Sequence, residues 1–510
     1  MKPNIILIMT DQQRADLRKS CGYPLDTMPF LDSWAKGGAD FRMAYTANPT
    51  CMPARVSMFT GRYSGSHRVR TNHNEADAYY TQDLLDLLRK HGYRTALCGK
   101  NHSHRKPEDF DFFECNGHQG NEEGEDKTPD EISFGKWLNY LQHMESHKPS
   151  PGRVELQHPY RNVSSALRFI DGTARGTPFF IWLSIAEPHS PYQVPDPYFN
   201  MFEPNSLPAL TTGTQHLSFK GPRFEWLRHR WEDVLAGDID QRILRVRSNY
   251  HGMLRLIDDQ FKRLIQGLES RNLTDDTLVV FLSDHGDFVG EYGLIRKGGN
   301  LAELLIRIPM IWRGPGITPQ GEINSACVNI VDLLPTICDL LQINSPLGCQ
   351  GRSILPLLQN RDIPPGEFDV AYCENGFSGL YWDEKDNFTP LEEGAMGKDP
   401  IFFDCLNTWT QCGQVRMVRK GDYKLQMDMM GTGYLYNLSE DPLELNNLWN
   451  EPSYLQIKTY MLELLSREML RQCDSLPYPR RRYRVKLHPM GYWDQTYNCG
   501  DTGVSQAPEL

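Results

Sequence analysis

The stretch Cys51-Met52-Pro53-Ala54-Arg55-Val56-Ser57-Met58-Phe59-Thr60-Gly61 has the pattern of a short buried helix that begins at its cysteine. Proline is tolerated in the first helical turn, where its missing N–H group would have no partner. Thr50, just before the run, is a capping type of residue, and Gly61 can end the helix in a left-handed conformation. Cys51 is therefore predicted at a helix N-terminus, where backbone N–H groups and a partial positive charge favour an anion.

Cys51 allows three interpretations. It can be a buried structural cysteine, or a thiolate nucleophile whose pKa the helix end lowers. The third interpretation rests on a resemblance: Cys51, Pro53, Arg55, Thr60 and Gly61 fill every fixed position of C-x-P-x-R, four residues, T-G. This pattern resembles the signature of the type I, formylglycine-dependent sulfatases of the alkaline phosphatase superfamily. The resemblance implies that a separate maturation enzyme converts the cysteine to formylglycine, whose hydrated aldehyde is the nucleophile.

Composition narrows the function classes. The chain has 510 residues with a formal net charge of −11, which argues against nucleic acid as a partner. No apolar run is long enough to cross a membrane, and residues 2–9 lack the features of a secretory leader. The twelve cysteines are scattered without a C-x-x-C pair, which is typical of reduced thiols. We therefore expect a cytoplasmic protein without a membrane partner.

Carboxylates follow two of the predicted buried strands. Residues 4–9 form an apolar run that ends in Thr10-Asp11, and residues 277–282 form another that runs into Ser283-Asp284-His285. Open α/β sheets bind ligands beyond the carboxyl ends of such strands. Asp11 taken alone can equally be the cap of the next helix. Together these residues have the ligand types that suit a metal.

The family resemblance implies one calcium ion at this edge of the sheet. Its ligands would be Asp11, Gln12, Asp284, His285 and residue 51. Sulfatases normally have a second aspartate where Gln12 stands, and the glutamine resembles the phosphonate monoester hydrolase and choline-sulfatase branches. An amide oxygen can still ligate a hard cation, although the site loses one negative charge.

Three further segments resemble sulfatase elements. Gly99-Lys100-Asn101-His102 follows a predicted strand, 187–191 is Glu-Pro-His-Ser-Pro, and residues 293–298 contain Lys297. The resemblance implies that Lys100 holds a sulfate oxygen and that Lys297 bridges sulfate and nucleophile. It also implies that His189 protonates the leaving alcohol and that His102 is the base that acts on the second hydroxyl. Arg55, one helical turn beyond Cys51, is expected to reach back to the nucleophile and hold it.

The predicted fold is α/β, with a large, mixed but mostly parallel sheet sandwiched by helices. A boundary near 362–366 separates a catalytic domain, 1–365, from a C-terminal subdomain and tail, 366–510. The subdomain is expected to be α+β, an antiparallel sheet packed by one long helix at 452–471. Residues 103–177 have weak periodicity and are predicted to be an elaborated loop region above the sheet.

Three functional hypotheses follow. The first is a sulfatase that hydrolyses a sulfate monoester, on a sulfated carbohydrate or other sulfated small molecule. The second is a phosphonate monoester or phosphodiester hydrolase of the same superfamily, which Gln12 favours. The third is a sulfated-glycan-binding protein whose Cys51 is never converted. Possible substrate contacts are Arg70, Asn72, His104 and Arg105, each of which can equally be an ordinary surface residue.

Overall fold

The computed structural model describes residues 2–116, 127–235, 237–298, 301–379 and 413–473. In these ranges twelve strands form two sheets, flanked by helices. The strands are β1 Asn4–Asp11, β2 Ala39–Tyr45, β3 Arg94–Gly99, β4 Phe112–Glu114, β5 Phe179–Pro188, β6 Thr277–Ser283, β7 Met310–Arg313, β8 Gly321–Asn329, β9 Val370–Asn375, β10 Val415–Lys420, β11 Tyr423–Asp428 and β12 Gly433–Asn437. The α-helices are α1 Pro29–Ala35, α2 Cys51–Thr60, α3 Ser64–His67, α4 Leu84–Lys90, α5 Pro129–Tyr140, α6 His158–Asp171, α7 Tyr198–Met201, α8 Leu217–Lys220, α9 Pro222–Val234, α10 Ile239–Glu269, α11 Glu303–Ile306, α12 Leu333–Leu340, α13 Leu355–Leu358 and α14 Leu455–Cys473.

The larger sheet has eight strands in the order β4-β3-β5-β1-β6-β7-β2-β8. Its pairings are parallel except where β7 pairs antiparallel with β6 and with β2. All eight residues of the central strand β1 are buried, as expected of a strand covered on both faces. The predicted mixed, mostly parallel α/β sheet is confirmed.

Helices cover both faces of this sheet, and the side chains of β1 alternate between them. Ile6 and Ile8 belong to the core under α10 and α6, whereas Ile5 and Leu7 belong to the core under α2, α4 and α12. Such alternation follows from the two-residue period of a strand. The sheet therefore separates two hydrophobic core layers. A site can form at its carboxyl edge, where the strands end.

The helix predicted from the opening stretch is α2, which begins at Cys51 and has every residue buried. Gly61 ends the helix with φ 63°, the left-handed conformation expected of it. Thr50 occupies the N-cap position as predicted, but its side chain makes no cap hydrogen bond. Instead, Asn48 Oδ1 accepts a hydrogen bond from the Thr50 N–H group at 3.0 Å and fixes the turn that leads into the helix.

The second sheet is antiparallel, in the order β12-β11-β10-β9, and α14 packs on it. Its Val418, Leu425 and Leu435 join the core layer that also contains Met461 and Leu464 of α14. The predicted α+β arrangement is confirmed, although the sequence prediction omitted β12. The division into domains at residues 365 and 366 stays a prediction, and the tail after Cys473 lies outside the described residues.

The prediction of a loop region at 103–177 is wrong. The described part of this segment contains strand β4 and the helices α5 and α6. Helix α6 buries Val163, Ala166, Phe169 and Ile170 against the sheet, an apolar stripe at helical spacing. The many polar residues around that stripe are the solvent-facing side of the helix, which obscured its period. Among the described helices, none is long and apolar enough to span a membrane.

Candidate active site

The site forms where two neighbouring strands end. Strands β1 and β6 run parallel and in register to Thr10 and Ser283, so the next residues of each strand emerge side by side. Asp11 and Asp284 are these residues, and both are fully buried. The N-terminus of α2 brings Cys51 to the same place. The structure thus brings Asp11, Asp284 and Cys51 together at the carboxyl edge of the sheet, where the sequence predicted them.

Four side chains gather into one cluster. One donor atom from each of Asp11, Cys51, Asp284 and His285 lies within 4.8 Å of the other three. The Cys51 Sγ atom is 3.6 Å from Asp11 Oδ1 and 3.2 Å from His285 Nε2. Carboxylate oxygens, an imidazole nitrogen and residue 51 at this spacing make a plausible shell for one small cation.

Neighbouring groups orient the members of this cluster. His285 Nδ1 is 2.9 Å from the carbonyl oxygen of Gly286, so an Nδ1–H donor leaves Nε2 with its lone pair turned towards the cluster. Asp284 Oδ1 accepts hydrogen bonds from the N–H groups of Gln12 at 3.0 Å and His285 at 2.9 Å. Backbone groups thus hold the His285 ring and the Asp284 carboxylate in these orientations.

Gln12 lies beside this cluster in a left-handed conformation, with φ 68°. Its Nε2 donates to Asp287 Oδ2, which also accepts from the hydroxyl of Tyr192 at 2.8 Å. The other amide atom, Oε1, is buried and has no hydrogen-bond partner among the described residues. A buried orphan acceptor costs free energy unless something binds it, and a hard cation would do so. The carboxylates of the cluster and this orphan amide oxygen therefore have the chemistry that a hard cation requires.

Three cationic side chains surround the anionic ones. Lys297 Nζ lies 2.7 Å from Cys51 Sγ and 2.8 Å from His285 Nε2, and Lys100 Nζ lies 2.6 Å from Asp11 Oδ2. Arg55 differs from the expectation that it reaches back to the nucleophile. Its hydrogen bonds go to Asp11 Oδ2 at 2.9 Å and Asp284 Oδ2 at 3.0 Å. The guanidinium leaves α2 towards the sheet, where both carboxylates need a counter-charge.

The charges shift the pKa values of the central groups. Burial and the Asp11 carboxylate raise the pKa of Cys51, but Lys297, Lys100 and His285 together lower it to about 6. Burial would raise the pKa of Asp11 as well, yet Lys100 and other cations hold it well below its usual range. Burial and repulsion from Asp11 raise the pKa of Asp284. Arg55, which donates to both carboxylates, offsets part of their mutual repulsion.

Two histidines complete the wall of the site. Burial, with Lys100 as a further cause, lowers the pKa of His102, and its buried Nδ1 has no hydrogen-bond partner among the described residues. Burial also lowers the pKa of His189, whose Nδ1 lies 2.7 Å from the carbonyl oxygen of Ser190. Both imidazoles interact with the charges of Lys100 and Asp11, which places them at the same edge of the sheet.

The four possible substrate contacts divide into two pairs. Asn72 Oδ1 accepts a hydrogen bond from the Met52 N–H group at 3.1 Å, so the loop of Arg70 and Asn72 touches the start of α2. His104 and Arg105 bind Asp83, the capping residue of α4, at 2.9 and 2.7 Å. Their hydrogen bonds give the second pair a structural role, and its contact with substrate stays a prediction.

Sequence reasoning missed two residues of the site. Ser184 Oγ accepts a hydrogen bond from Arg55 at 2.7 Å, and Asp287 accepts from Gln12 as described. The available signal for Ser184 is a hydroxyl inside an otherwise apolar strand, where a buried polar group needs a partner. For Asp287 it is a third polar residue in the short run after β6. Neither feature of the sequence identifies the hydrogen-bond partner of Ser184 or Asp287 unless the fold is known.

Comparisons with known proteins agree on one family. The sequence model of the Sulfatase family matches residues 3–343. An arylsulfatase of Clostridium perfringens is 27% identical over 496 residues, covering 92% of this chain and 95% of the relative. An N-acetylglucosamine-6-O-sulfatase of Bacteroides thetaiotaomicron is 24% identical over 522 residues, covering 93% of this chain and 88% of the relative. A phosphonate monoester hydrolase from Silicibacter pomeroyi has a similar fold, with a TM-score of 0.74, 22% identity and coverage of 93% and 96% of the two chains.

Proposed function

The chain belongs to the sulfatase family of hydrolases, and from this premise we propose that it removes sulfate from a sulfated carbohydrate with formylglycine at position 51 and one calcium ion. The observation that carries the proposal is the convergence of Asp11, Asp284 and His285 on Cys51 at the N-terminus of α2. A structural cysteine would not need two lysines and two carboxylates around it. Buried titratable groups with shifted pKa values that gather at the edge of a sheet are typical of an active site.

The positive groups suit the charge of a sulfate ester. Lys100 and Lys297 approach the cluster from different loops, and both ammonium groups lie within 3 Å of a cluster atom. In the transition state of its transfer, a sulfuryl group carries negative charge on its equatorial oxygens. Preorganised cations in a buried site stabilise that charge strongly. Lys297 contacts residue 51 itself, so it can hold both the nucleophile and a sulfate oxygen. Lys100 can hold a second oxygen when an anion competes with Asp11 for it.

We assign proton transfer to the buried His189 and the partly exposed His102. His189 is the candidate acid for the leaving alcohol, and His102 is the candidate base at residue 51. Burial keeps both imidazoles neutral in the free enzyme, and an arriving sulfate anion would raise the pKa of His189 towards the range of a useful acid. Loss of either group is expected to cost about 10²–10⁴-fold in rate without abolishing catalysis.

The two implied groups supply chemistry that the side chains lack. The formylglycine at position 51 supplies a hydroxyl oxygen as nucleophile, and the calcium, held by Asp11, Gln12, Asp284 and His285, supplies charge that polarises a sulfate oxygen. Arg55 stays paired with one oxygen of each carboxylate and so fixes the orientation of both. Calcium binding is tested by thermal unfolding of the purified chain with calcium and with a chelator. A higher midpoint with calcium, lost in Asp284→Asn, is the expected result.

Carbohydrate is the proposed substrate class because the relative from Bacteroides thetaiotaomicron is named for a sugar sulfate. The test compares kcat/KM for an aryl sulfate, a 6-sulfated and a 2-sulfated sugar, a phosphate monoester and a phosphodiester. The proposal expects the highest value for a sulfated sugar. A preference for the phosphodiester over every sulfate would instead establish the second candidate, the phosphonate monoester or phosphodiester hydrolase, which the glutamine at position 12 and the similar fold favour.

Conversion of Cys51 is tested independently of activity. Trypsin releases residues 43–55, and conversion to formylglycine replaces the sulfur of that peptide by oxygen and removes two hydrogens. The expected result in the native host is the lighter peptide. An unmodified peptide there, together with binding of sulfated glycan, would establish the third candidate, a binding protein without catalysis.

A further inference from the structure

A cavity of about 530 Å³ lies beside the loop that follows α3. We call it the Arg70 cavity; among its lining residues are Arg68, Arg70, Asn74, Asp77, Tyr79 and Phe377. It has no part in the chemistry assigned above. Two of these side chains are cationic and one is anionic, so the lining has an excess of positive charge in a chain that is negative overall.

Arg70 is the unusual member of this lining. Its guanidinium lies over the ring of Phe377, with 5.6 Å between its carbon and the ring centroid. Among the described residues it has no hydrogen bond or ion pair to a carboxylate. Burial lowers the pKa of Arg70, because the charged form loses water and the attraction of Glu374 offsets this loss only in part; the like charge of Arg416 lowers the pKa further. A half-buried cation without a partner is costly unless a ligand supplies the negative charge.

The nearest carboxylate, Glu374, is already engaged elsewhere. Its Oε1 accepts from the Gly65 N–H group, and its Oε2 accepts from the Tyr372 hydroxyl at 2.9 Å and pairs with Arg416 at 3.2 Å. Asp77 is the acidic residue of the lining, and its Oδ2 accepts from Asn74 at 3.0 Å. The positive charge of Arg70 therefore remains available to an incoming anion.

The cavity is joined to the reacting end of α2 by short contacts. Val69 is buried between Met52 and Val56 of α2, and Arg68 and Arg70 flank it. Two residues further on, Asn72 binds the Met52 N–H group at 3.1 Å. Two residues of extended chain span at most about 7 Å, so the backbone of Arg70 lies no further than that from the residue that binds the start of α2. The anchored backbone presents both arginines at a fixed place rather than on a free loop.

We propose that the Arg70 cavity binds a second anionic group, a sulfate or a carboxylate, on the sugar unit next to the one that loses its sulfate. This rests on the proposed function and deepens it, because it names the substrate as a polyanionic saccharide. Arg70 and Arg68 provide the charge, and Arg70 can bind an oxyanion with two parallel N–H donors. Tyr79 and Phe377 provide the apolar wall on which both guanidinium groups lie, at 4.3 and 5.6 Å from the ring centroids.

The test uses three disaccharides that contain the same 6-sulfated N-acetylglucosamine. The neighbouring unit is a neutral hexose, a hexuronate or a sulfated hexose. Their affinities are measured by calorimetry on two variants, Cys51→Ala and the double variant Cys51→Ala with Arg70→Gln. Neither variant can turn the disaccharide over. We expect the anionic disaccharides to bind more tightly than the neutral one, and Arg70→Gln to remove about 10- to 100-fold of that preference. Arg70→Lys should restore part of it.

Kinetics on the converted full chain supply the second readout. Arg70→Gln is expected to lower kcat/KM for the anionic disaccharides relative to the neutral one, mainly through KM, and high salt should reduce the difference. Arg361→Gln, an exposed arginine, is the matched control and should leave the ratio unchanged. The preferred anionic unit distinguishes a carboxylate site from a sulfate site.

Two outcomes overturn the proposal. One is equal affinity for all three disaccharides, or no binding of any, in Cys51→Ala. The other is a preference for anionic units that Arg70→Gln leaves intact while thermal unfolding shows a folded variant. Failure of the proposed function would give a different result. Wild-type enzyme with converted Cys51 would then fail to hydrolyse the aryl sulfate, which needs no second anionic group.

Discussion

The sulfur of Cys51 lies where a helix N-terminus, two lysines and two carboxylates meet, and the lysines and His285 together outweigh burial and Asp11 in setting its pKa. Lys297 approaches it most closely, at 2.7 Å, from the loop after β6. With a pKa of about 6, most of the unconverted thiol is ionised at neutral pH. The titration of this thiolate in the unconverted chain therefore reports how the neighbouring charges act on position 51.

We predict that Lys297→Met moves the thiolate titration of Cys51 upwards. The metal-free, unconverted chain should show a transition in ultraviolet thiolate absorbance near pH 6, absent from Cys51→Ser. Removal of the nearest cation leaves burial and the Asp11 charge, both of which raise the pKa, so the transition should move by at least about one unit towards 9. Lys262→Met, an exposed lysine of α10, is the control. An unchanged titration in Lys297→Met would contradict the contact.

Gly61, at the end of α2, gives a prediction at the scale of the element. Its φ is 63°, and a Cβ atom there would lie 2.6 Å from the Sγ of Cys349. Gly92, at φ 81°, has no atom within 4 Å of such a Cβ. Gly92→Ala should therefore cost about 1–2 kcal/mol for the left-handed backbone alone, and Gly61→Ala about 1–3 kcal/mol more for the contact. Urea unfolding measures both, and equal losses would show that Cys349 moves freely aside.

The link between α2 and α3 predicts a pH dependence of stability. His67 Nε2 lies 2.9 Å from Ser57 Oγ and its Nδ1 accepts from the Val69 N–H group, so the buried ring is neutral. Burial lowers its pKa to about 3 from 6.5. Between these values the unfolded chain binds one more proton than the folded one, and stability falls as the pH drops below 6.5.

The expected size of this effect is about 1.4 kcal/mol per pH unit, or roughly 2 kcal/mol between pH 6.5 and 5. His67→Gln keeps a donor near Ser57 and cannot titrate. Urea unfolding at both pH values should show a smaller loss in the variant than in the wild type, by about that amount. Other buried histidines contribute equally to both proteins. Identical pH dependence would mean that His67 is protonated without cost.

The same elements show how far the sequence alone could go. Asp11 and Asp284 were predictable as neighbours because each follows a continuous apolar run, and parallel strands end at one edge. The helical stripe of α6 was present in the sequence but was hidden by its polar surroundings. The hydrogen-bond partners of Arg55 could not be predicted from the sequence, because a side chain at the start of a helix can turn towards the nucleophile or towards the sheet. Only the three-dimensional position of Ser184 and the carboxylates decides between them.

At the scale of the molecule, a network of buried charges joins the two sheets. Lys424 of β11 pairs with Glu444 at 2.6 Å and with Glu303 of α11 at 3.3 Å, and Lys220 of α8 pairs with Glu444 at 3.1 Å. Lys424 also donates to the carbonyl oxygen of Leu301. Since α11 follows the loop of Lys297 by six residues, the smaller sheet supports the segment that carries a cation of the site.

We therefore predict that Lys424→Met lowers both stability and catalysis, although Lys424 lies outside the candidate site. It leaves Glu444 with Lys220 and Glu303 with Arg419, so the expected loss of stability is smaller than the about 3–5 kcal/mol that a fully uncompensated buried charge costs. The loss of the contact to Leu301 should also let the Lys297 segment move, which lowers kcat for an aryl sulfate more than it changes KM. Lys420→Met, on the neighbouring strand and only weakly paired with Asp369 at 3.5 Å, is the control. If Lys424→Met lost stability but kept wild-type kcat in enzyme that is fully folded at the assay temperature, the smaller sheet would stabilise the chain without positioning Lys297.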